Sequence, residues 1–97
     1  MLKKSYSKTG RRCRVTFKLT DVEAESAAVL GEFNAWDETS DPLVRRKDGS
    51  FSATLSLDSG RDYRFRYLLD AEVWTNDETA DALVPNRFGG EDGVLRV

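Results

Sequence analysis

The segment Ala27-Ala28-Val29-Leu30-Gly31-Glu32-Phe33-Asn34-Ala35-Trp36-Asp37 decides the fold of this 97-residue chain. Its first four residues are apolar, as in a buried strand, and polar turn-forming residues with two aromatic side chains follow them. A Trp held on a turn presents the flat face of its ring to whatever lies outside. The segment therefore predicts a buried strand that ends in a turn displaying Trp36.

Alternation of apolar and polar residues with a period of two dominates the rest of the chain. The apolar positions form three series, which are Cys13, Val15, Phe17 and Leu19; Phe51, Ala53, Leu55 and Leu57; and Tyr63, Phe65, Tyr67 and Leu69. Turn-forming residues separate these series at the spacing that is typical of a β-sandwich. No segment has a sustained helical period. We therefore predict an all-β fold, an immunoglobulin-like antiparallel β-sandwich of about seven strands.

Length and composition predict one domain. The chain is 39% hydrophobic and 33% charged, and it is too short to contain a catalytic barrel beside a binding domain. It has no apolar run near the roughly 20 residues that cross a membrane, and its basic start lacks the apolar core of a signal peptide. We therefore expect a cytoplasmic location and no membrane partner. The lone Cys13 alternates with Val15, Phe17 and Leu19, so we expect it to be a buried, unreactive thiol.

Charge is distributed unevenly along the chain. Residues 1–20 carry seven Lys or Arg and no acid, whereas residues 21–97 carry eight bases and seventeen acids. We interpret residues 1–12 as a basic, solvated N-terminal arm and residues 13–97 as the single domain. Nucleic-acid binding through residues 3–18 is an alternative, but the acidic remainder would repel a phosphate backbone, so we expect no nucleic-acid partner.

Several kinds of active site are excluded by composition. With no His and one Cys, the chain cannot build the common zinc sites or a Ser-His-Asp or Cys-His nucleophile. Two adjacent carboxylate pairs, Asp77 with Glu78 and Glu91 with Asp92, are better interpreted as solvated surface residues than as glycosidase acids. We expect no catalytic residue, no metal site and no cofactor.

A set of spaced motifs resembles one known family. The motifs are Phe33-Asn34-Ala35-Trp36, Asp48-Gly49, residues 63–70, Trp74 and residues 85–90. In this order they resemble carbohydrate-binding module family 48. That family includes the N-terminal, isoamylase-type module of branching and debranching enzymes of glycoside hydrolase family 13, and the glycogen-binding domain of the AMP-activated protein kinase beta subunit. The resemblance covers about residues 15–97. It implies an early-set immunoglobulin-like sandwich and non-catalytic binding of an α-1,4-glucan, such as glycogen, starch or a maltooligosaccharide.

The resemblance also implies aromatic and basic site residues. In the kinase glycogen-binding domain, two Trp residues stack on glucose rings. The resemblance assigns these two roles to Trp36 and Trp74. The basic contact of the family falls on Arg66, and Arg64 lies two residues earlier on the same outward face. An Arg at this place offers a planar pair of donors for sugar hydroxyl groups.

Three further positions complete the expected site. Phe88 corresponds to a hydrophobic residue on the loop before the last strand, and Asn34 is expected to add a hydrogen bond at the rim. Asp92 corresponds to an amide that touches sugar, and here the sequence departs from the family, because Asp accepts hydrogen bonds but cannot donate one. Ala71 replaces a customary turn Gly, which matters only if the position requires φ > 0.

A second function is compatible with the same pattern. A module that keeps the fold but has lost sugar binding would instead dock onto a protein, such as an α-glucan-active enzyme or a kinase-like partner. Exposed aromatic residues are frequent in protein interfaces, so they do not separate the two functions.

Overall fold

The computed structural model describes residues 2–97, and nearly all of its regular secondary structure is β. The strands are β1 Leu2–Tyr6, β2 Arg12–Leu19, β3 Ala27–Gly31, β4 Val44–Arg45, β5 Phe51–Asp58, β6 Asp62–Leu69, β7 Val73–Thr75, β8 Ala82–Pro85 and β9 Glu91–Arg96, and a 3₁₀ turn at Glu32–Asn34 follows β3. Within residues 2–97, no helix has the length and apolar character needed to cross a membrane.

The strands form two antiparallel sheets. One sheet has four strands in the order β1-β2-β5-β4, and the other has five, in the order β3-β6-β9-β8 with β7 paired to β6. This arrangement confirms the predicted immunoglobulin-like sandwich. The predicted number of about seven strands was too low, since the described residues contain nine. The sequence pattern does not reveal β1, β4, β7 or β8, and of these β4 and β7 are too short to show alternation.

The core lies between the sheets and contains the predicted inward residues. Val15, Phe17, Phe65 and Tyr67 are fully buried. The Phe17 ring meets Phe65 edge-on, with centroids 5.4 Å apart, and meets Tyr67 in the same way at 6.3 Å. Such edge-to-face contacts add to the stabilisation from burial alone. Cys13 is also fully buried, which confirms the expected structural thiol.

The segment that was interpreted as a solvated arm differs from the expectation. Residues Leu2–Tyr6 form β1, which pairs antiparallel with β2 along its whole length. Lys4 Nζ lies 2.7 Å from Asp81 Oδ2, so this ion pair also ties β1 to the neighbouring sheet. Backbone hydrogen bonds to β2 hold this segment as a strand. The side-chain pattern of a segment with several lysines does not predict such pairing.

The outer face of the five-stranded sheet is not uniformly polar. Ala28, Leu30 and Leu68 form a small apolar cluster there, separate from the main core. Trp74 on β7 lies directly opposite Leu68 in the register, and Arg66 on β6 lies opposite Leu30. The outward side chains of β6 therefore form a surface that combines apolar and cationic groups.

Candidate functional site

An open groove of about 770 Å³ lies on the outer face of the five-stranded sheet. Its size falls in the range of about 300–1,000 Å³ that is usual for ligand sites. Six of the seven expected binding residues line it, namely Trp36, Arg64, Arg66, Trp74, Phe88 and Asp92. Four residues that were not expected also line it, namely Glu32, Pro85, Asn86 and Arg87.

The turn after β3 brings Trp36 to the groove. The backbone N–H of Trp36 donates a hydrogen bond to the carbonyl oxygen of Gly31 at 2.9 Å. A methyl group on Gly31 would lie 2.6 Å from the carbonyl oxygen of Arg64 and 2.8 Å from the Phe33 ring, so only Gly fits there. Ala35 and Trp36 both have left-handed backbone conformations, with φ of 55° and 59°. The tightly folded turn leaves Trp36 37% exposed beside the groove.

Asn34 does not line the groove, in contrast to the expected rim contact. Its Oδ1 accepts a hydrogen bond from the Gly31 N–H at 3.0 Å. Its Nδ2 donates to the carbonyl oxygen of Val29 at 3.0 Å and to Asp41 Oδ2 at 2.8 Å. Both donor hydrogens are therefore used within the protein, and Asn34 holds the turn that carries Trp36.

A tight hairpin between β6 and β7 brings the second Trp to the groove. The N–H of Glu72 donates to the carbonyl oxygen of Leu69 at 3.0 Å, across a turn whose central residues Asp70 and Ala71 have φ of 51° and 56°. Positive φ at both central residues defines the type I′ turn, which matches the twist of the paired strands. The hairpin places Trp74 on the outer face, where it is 43% exposed.

Arg66 lies against the Trp74 ring. Its guanidinium carbon is 5.3 Å from the ring centroid, a distance at which a cation is attracted to the aromatic face. The Nε of Arg66 is buried and has no hydrogen-bond partner among the described residues. Because this Nε is shielded from solvent, only the Nη groups of Arg66 are left to contact a ligand in the groove.

Asp92 is held by its neighbours. Its side chain is 11% exposed, its Oδ1 accepts a hydrogen bond from Asn86 Nδ2 at 3.1 Å, and its Oδ2 lies 3.7 Å from Arg64 Nη1. The carboxylate thus links β6 to the loop before β9. Asp92 lines the groove, and both of its carboxylate oxygens lie near partners within the protein.

The loop at residues 86–90 carries Phe88, which lines the groove. Asn86 Oδ1 accepts hydrogen bonds from the N–H groups of Phe88 at 3.0 Å and of Gly90 at 3.1 Å. Phe88, at the tip, is 83% exposed, and the Arg87 guanidinium lies 5.4 Å from its ring centroid. The family resemblance implied a loop here, but it did not identify Asn86 as the residue that organises the loop.

Glu32 was also missed, and it lies beside β6. Its Oε1 accepts a hydrogen bond from the backbone N–H of Arg64 at 2.6 Å. Little in the sequence indicates this contact, because a Glu in a turn is usually solvated. In the structure, Glu32 connects the Trp36 turn to the strand that carries both site arginines.

The aspartates of both carboxylate pairs, Asp77 and Asp92, are buried, which corrects the expectation of solvated surface residues. Asp77 Oδ2 accepts a hydrogen bond from the Tyr67 hydroxyl at 2.6 Å. Burial acts to raise the pKa of Asp77, but hydrogen bonds from Thr79 and Tyr67 outweigh this effect and hold that pKa below its usual 3.8. A carboxylate with a lowered pKa is a poor general acid at neutral pH.

Metal binding has no support in residues 2–97, where no group of three or more His, Cys, Asp or Glu side chains is arranged to hold an ion. The groove instead combines aromatic faces with guanidinium donors. Such a surface suits a ligand that has apolar faces and a rim of hydroxyl groups.

Comparison with known protein families matches residues 5–83 to carbohydrate-binding module 48, the isoamylase N-terminal domain. Comparison with curated proteins gives no match. The family match includes Trp36, Arg64, Arg66 and Trp74, and it ends before the loop that carries Phe88. Because the match spans more than half of the sequence, the chain belongs to carbohydrate-binding module family 48, a family of binding modules and not of catalytic domains.

Proposed function

We propose that this module binds α-1,4-glucan chains of the glycogen, starch or maltooligosaccharide type and has no catalytic activity of its own. The observation that carries the proposal is that Trp36 and Trp74, which come from different loops and strands, line the same open groove with part of each ring exposed. An α-glucan chain offers apolar sugar faces for these rings and hydroxyl groups at its edges.

Each groove residue has a distinct part in this proposal. Trp36 and Trp74 stack on glucose rings, and the guanidinium of Arg66 binds hydroxyl groups at the rim. Arg64, held near Asp92, is a second donor at the other end of the outward face of β6. Phe88 packs over the bound sugar from the open side.

The expected affinity is modest. Stacking of one sugar face on a Trp contributes about 1–2 kcal/mol. Two stacked rings and a few rim hydrogen bonds, less the cost of immobilising a flexible chain, correspond to a dissociation constant of about 10 μM to 1 mM. This weak affinity suits a module that works beside an α-glucan-active enzyme by keeping it near a large polymer.

Ligand selectivity tests the proposal. Calorimetric titration with maltoheptaose or β-cyclodextrin should give binding in this range, and titration with cellohexaose at the same concentrations should give none. Retardation in gels that contain glycogen or amylopectin should agree with the titrations. Equal responses to the α- and β-linked ligands, or no response to either, would refute α-glucan recognition.

A second candidate function is docking onto a protein partner, such as an α-glucan-active enzyme. The high exposure of Phe88, together with the 49% exposure of Leu83 on the preceding strand, favours it. Large apolar side chains with this exposure are common where two proteins meet. If the module fails to bind every glucan tested but Phe88→Ala disrupts a complex with such an enzyme, this second function is correct.

A further inference from the structure

The groove holds more cationic charge than a neutral glucan requires. Three guanidinium groups line it, from Arg64, Arg66 and Arg87, together with two carboxylates, from Glu32 and Asp92. Asp92 Oδ2 lies 3.7 Å from Arg64 Nη1, whereas Glu32 accepts only the backbone N–H of Arg64 and keeps its own negative charge. The charge of Arg64 is therefore partly balanced within the protein.

The other two guanidinium groups are not balanced. In the part of the chain that the structure describes, no carboxylate oxygen lies within 4.0 Å of a nitrogen of Arg66 or Arg87. Each guanidinium lies near an aromatic ring instead, Arg66 at 5.3 Å from the Trp74 centroid and Arg87 at 5.4 Å from the Phe88 centroid. An aromatic ring does not neutralise a guanidinium, so both positive charges remain available to a ligand.

The two guanidinium groups also come from elements that approach each other. Arg66 Nη1 is 4.0 Å from the place that a Cβ on Gly90 would occupy. Gly90 closes the loop that carries Arg87, because its N–H and carbonyl oxygen both bind Asn86. Arg66 thus reaches the base of the loop, and Arg87 approaches the groove from its tip.

From this arrangement we infer that the groove prefers α-glucan chains that carry a phosphate monoester over unmodified chains. This inference rests on the proposed glucan-binding function and specifies its ligand. A guanidinium is a planar fork that matches the oxygens of phosphate in pairs, and it keeps its charge at every physiological pH. Trp36 and Trp74 bind the sugar rings, while Arg66 and Arg87 contact the phosphate that one of those rings carries.

The test compares two ligands that differ only in the phosphate. The full chain is titrated with maltoheptaose and with maltoheptaose bearing a phosphate monoester, each at low and at high ionic strength. The phosphorylated ligand should bind about three- to tenfold more tightly at low ionic strength, as expected for two charged contacts at the protein surface. The preference should shrink at high ionic strength, because salt screens exposed charges.

Substitutions in the groove test which residues produce the preference for the phosphorylated chain. In Arg66→Gln and in Arg87→Gln, the ratio of the two affinities should fall towards one. Arg45→Gln is the matched control, because the Arg45 guanidinium lies 5.6 Å from the Phe51 ring on the four-stranded sheet, outside the groove. That variant should keep both affinities and their ratio.

The outcomes separate this inference from the function on which it rests. If both heptasaccharides bind equally, or the unmodified one binds more tightly, the phosphate preference is wrong and glucan binding stands. If neither binds, both proposals fail. If inorganic phosphate alone binds as tightly as the phosphorylated chain, the groove is a site for a free anion and the inference is refuted. A preference that survives in both groove variants contradicts the roles of Arg66 and Arg87.

Discussion

Replacing Ala71 by Gly should stabilise the protein, even though it removes a side-chain atom. Ala71 has φ of 56° at the second central position of the hairpin between β6 and β7. This left-handed conformation costs about 1–2 kcal/mol in a residue that has a Cβ, and almost nothing in Gly. Gly loses more backbone entropy on folding, which costs about 0.5–1 kcal/mol. Because Ala71 is exposed, no buried contact is lost.

The difference between these terms is a stabilisation centred on about 0.75 kcal/mol, within a range of about 0–1.5 kcal/mol. For a domain of this size, the central value corresponds to an increase in melting temperature of about 3–6 °C. Thermal and urea unfolding of Ala71→Gly measure it directly. Ala82→Gly is the matched control, since Ala82 lies in β8 and does not have a positive φ. The same substitution there should destabilise the protein by about 0.5–1 kcal/mol. A lower melting temperature for Ala71→Gly would show that backbone strain at this turn is not what distinguishes the two sites.

Three further predictions concern the core, acid stability and catalysis. Phe17→Ala and Phe65→Ala each remove a fully buried ring and should lower the free energy of unfolding by about 3–5 kcal/mol, measured by urea titration. Melting temperatures within two degrees of wild type would contradict the assigned core. Because hydrogen bonds from Thr79 and Tyr67 lower the pKa of Asp77 below 3.8, the unfolded chain binds its proton at a higher pH than the folded chain does. Stability should therefore fall as the pH drops below about 4, and Asp77→Asn should make that dependence shallower. Prolonged incubation with amylose, glycogen or pullulan should release no reducing ends above a buffer control, and a hydrolysis rate that survives repurification would overturn the non-catalytic proposal.

The sequence predicted the parts of the site that follow from strand alternation and from the family resemblance. Alternation along β6 correctly placed Arg64 and Arg66 on the face opposite Phe65 and Tyr67. The resemblance singled out Trp36 and Trp74, and both lie at that face, Trp36 on the turn after β3 and Trp74 on β7. These expectations were accurate because a side chain on a strand has only two directions in which to point.

Other features depend on contacts that no local pattern encodes. Asn34 was expected at the ligand, but its amide binds backbone and carboxylate groups that only the folded turn brings together. In the same way, the Asn86 amide donates a hydrogen bond to Asp92 across a loop. Asp77 is buried, where it accepts a hydrogen bond from the Tyr67 hydroxyl. The role of a polar side chain follows from its partners, and single-sequence patterns show residue types without those partners.

The central claim is that the two exposed Trp rings bind α-glucan, and titration of Trp36→Ala and Trp74→Ala with maltoheptaose tests it most directly. More than half of each side chain is covered, so a modest fall in melting temperature is expected, and the titrations belong at a temperature at which circular dichroism shows both variants folded. Tyr6→Ala is the control, because Tyr6 is a 53% exposed aromatic residue on β1, away from the groove. We predict that each Trp variant binds at least about tenfold more weakly, a loss of about 1.4 kcal/mol, and that Tyr6→Ala binds like the wild type. A folded Trp36→Ala or Trp74→Ala variant that binds maltoheptaose as tightly as the wild type would contradict the account.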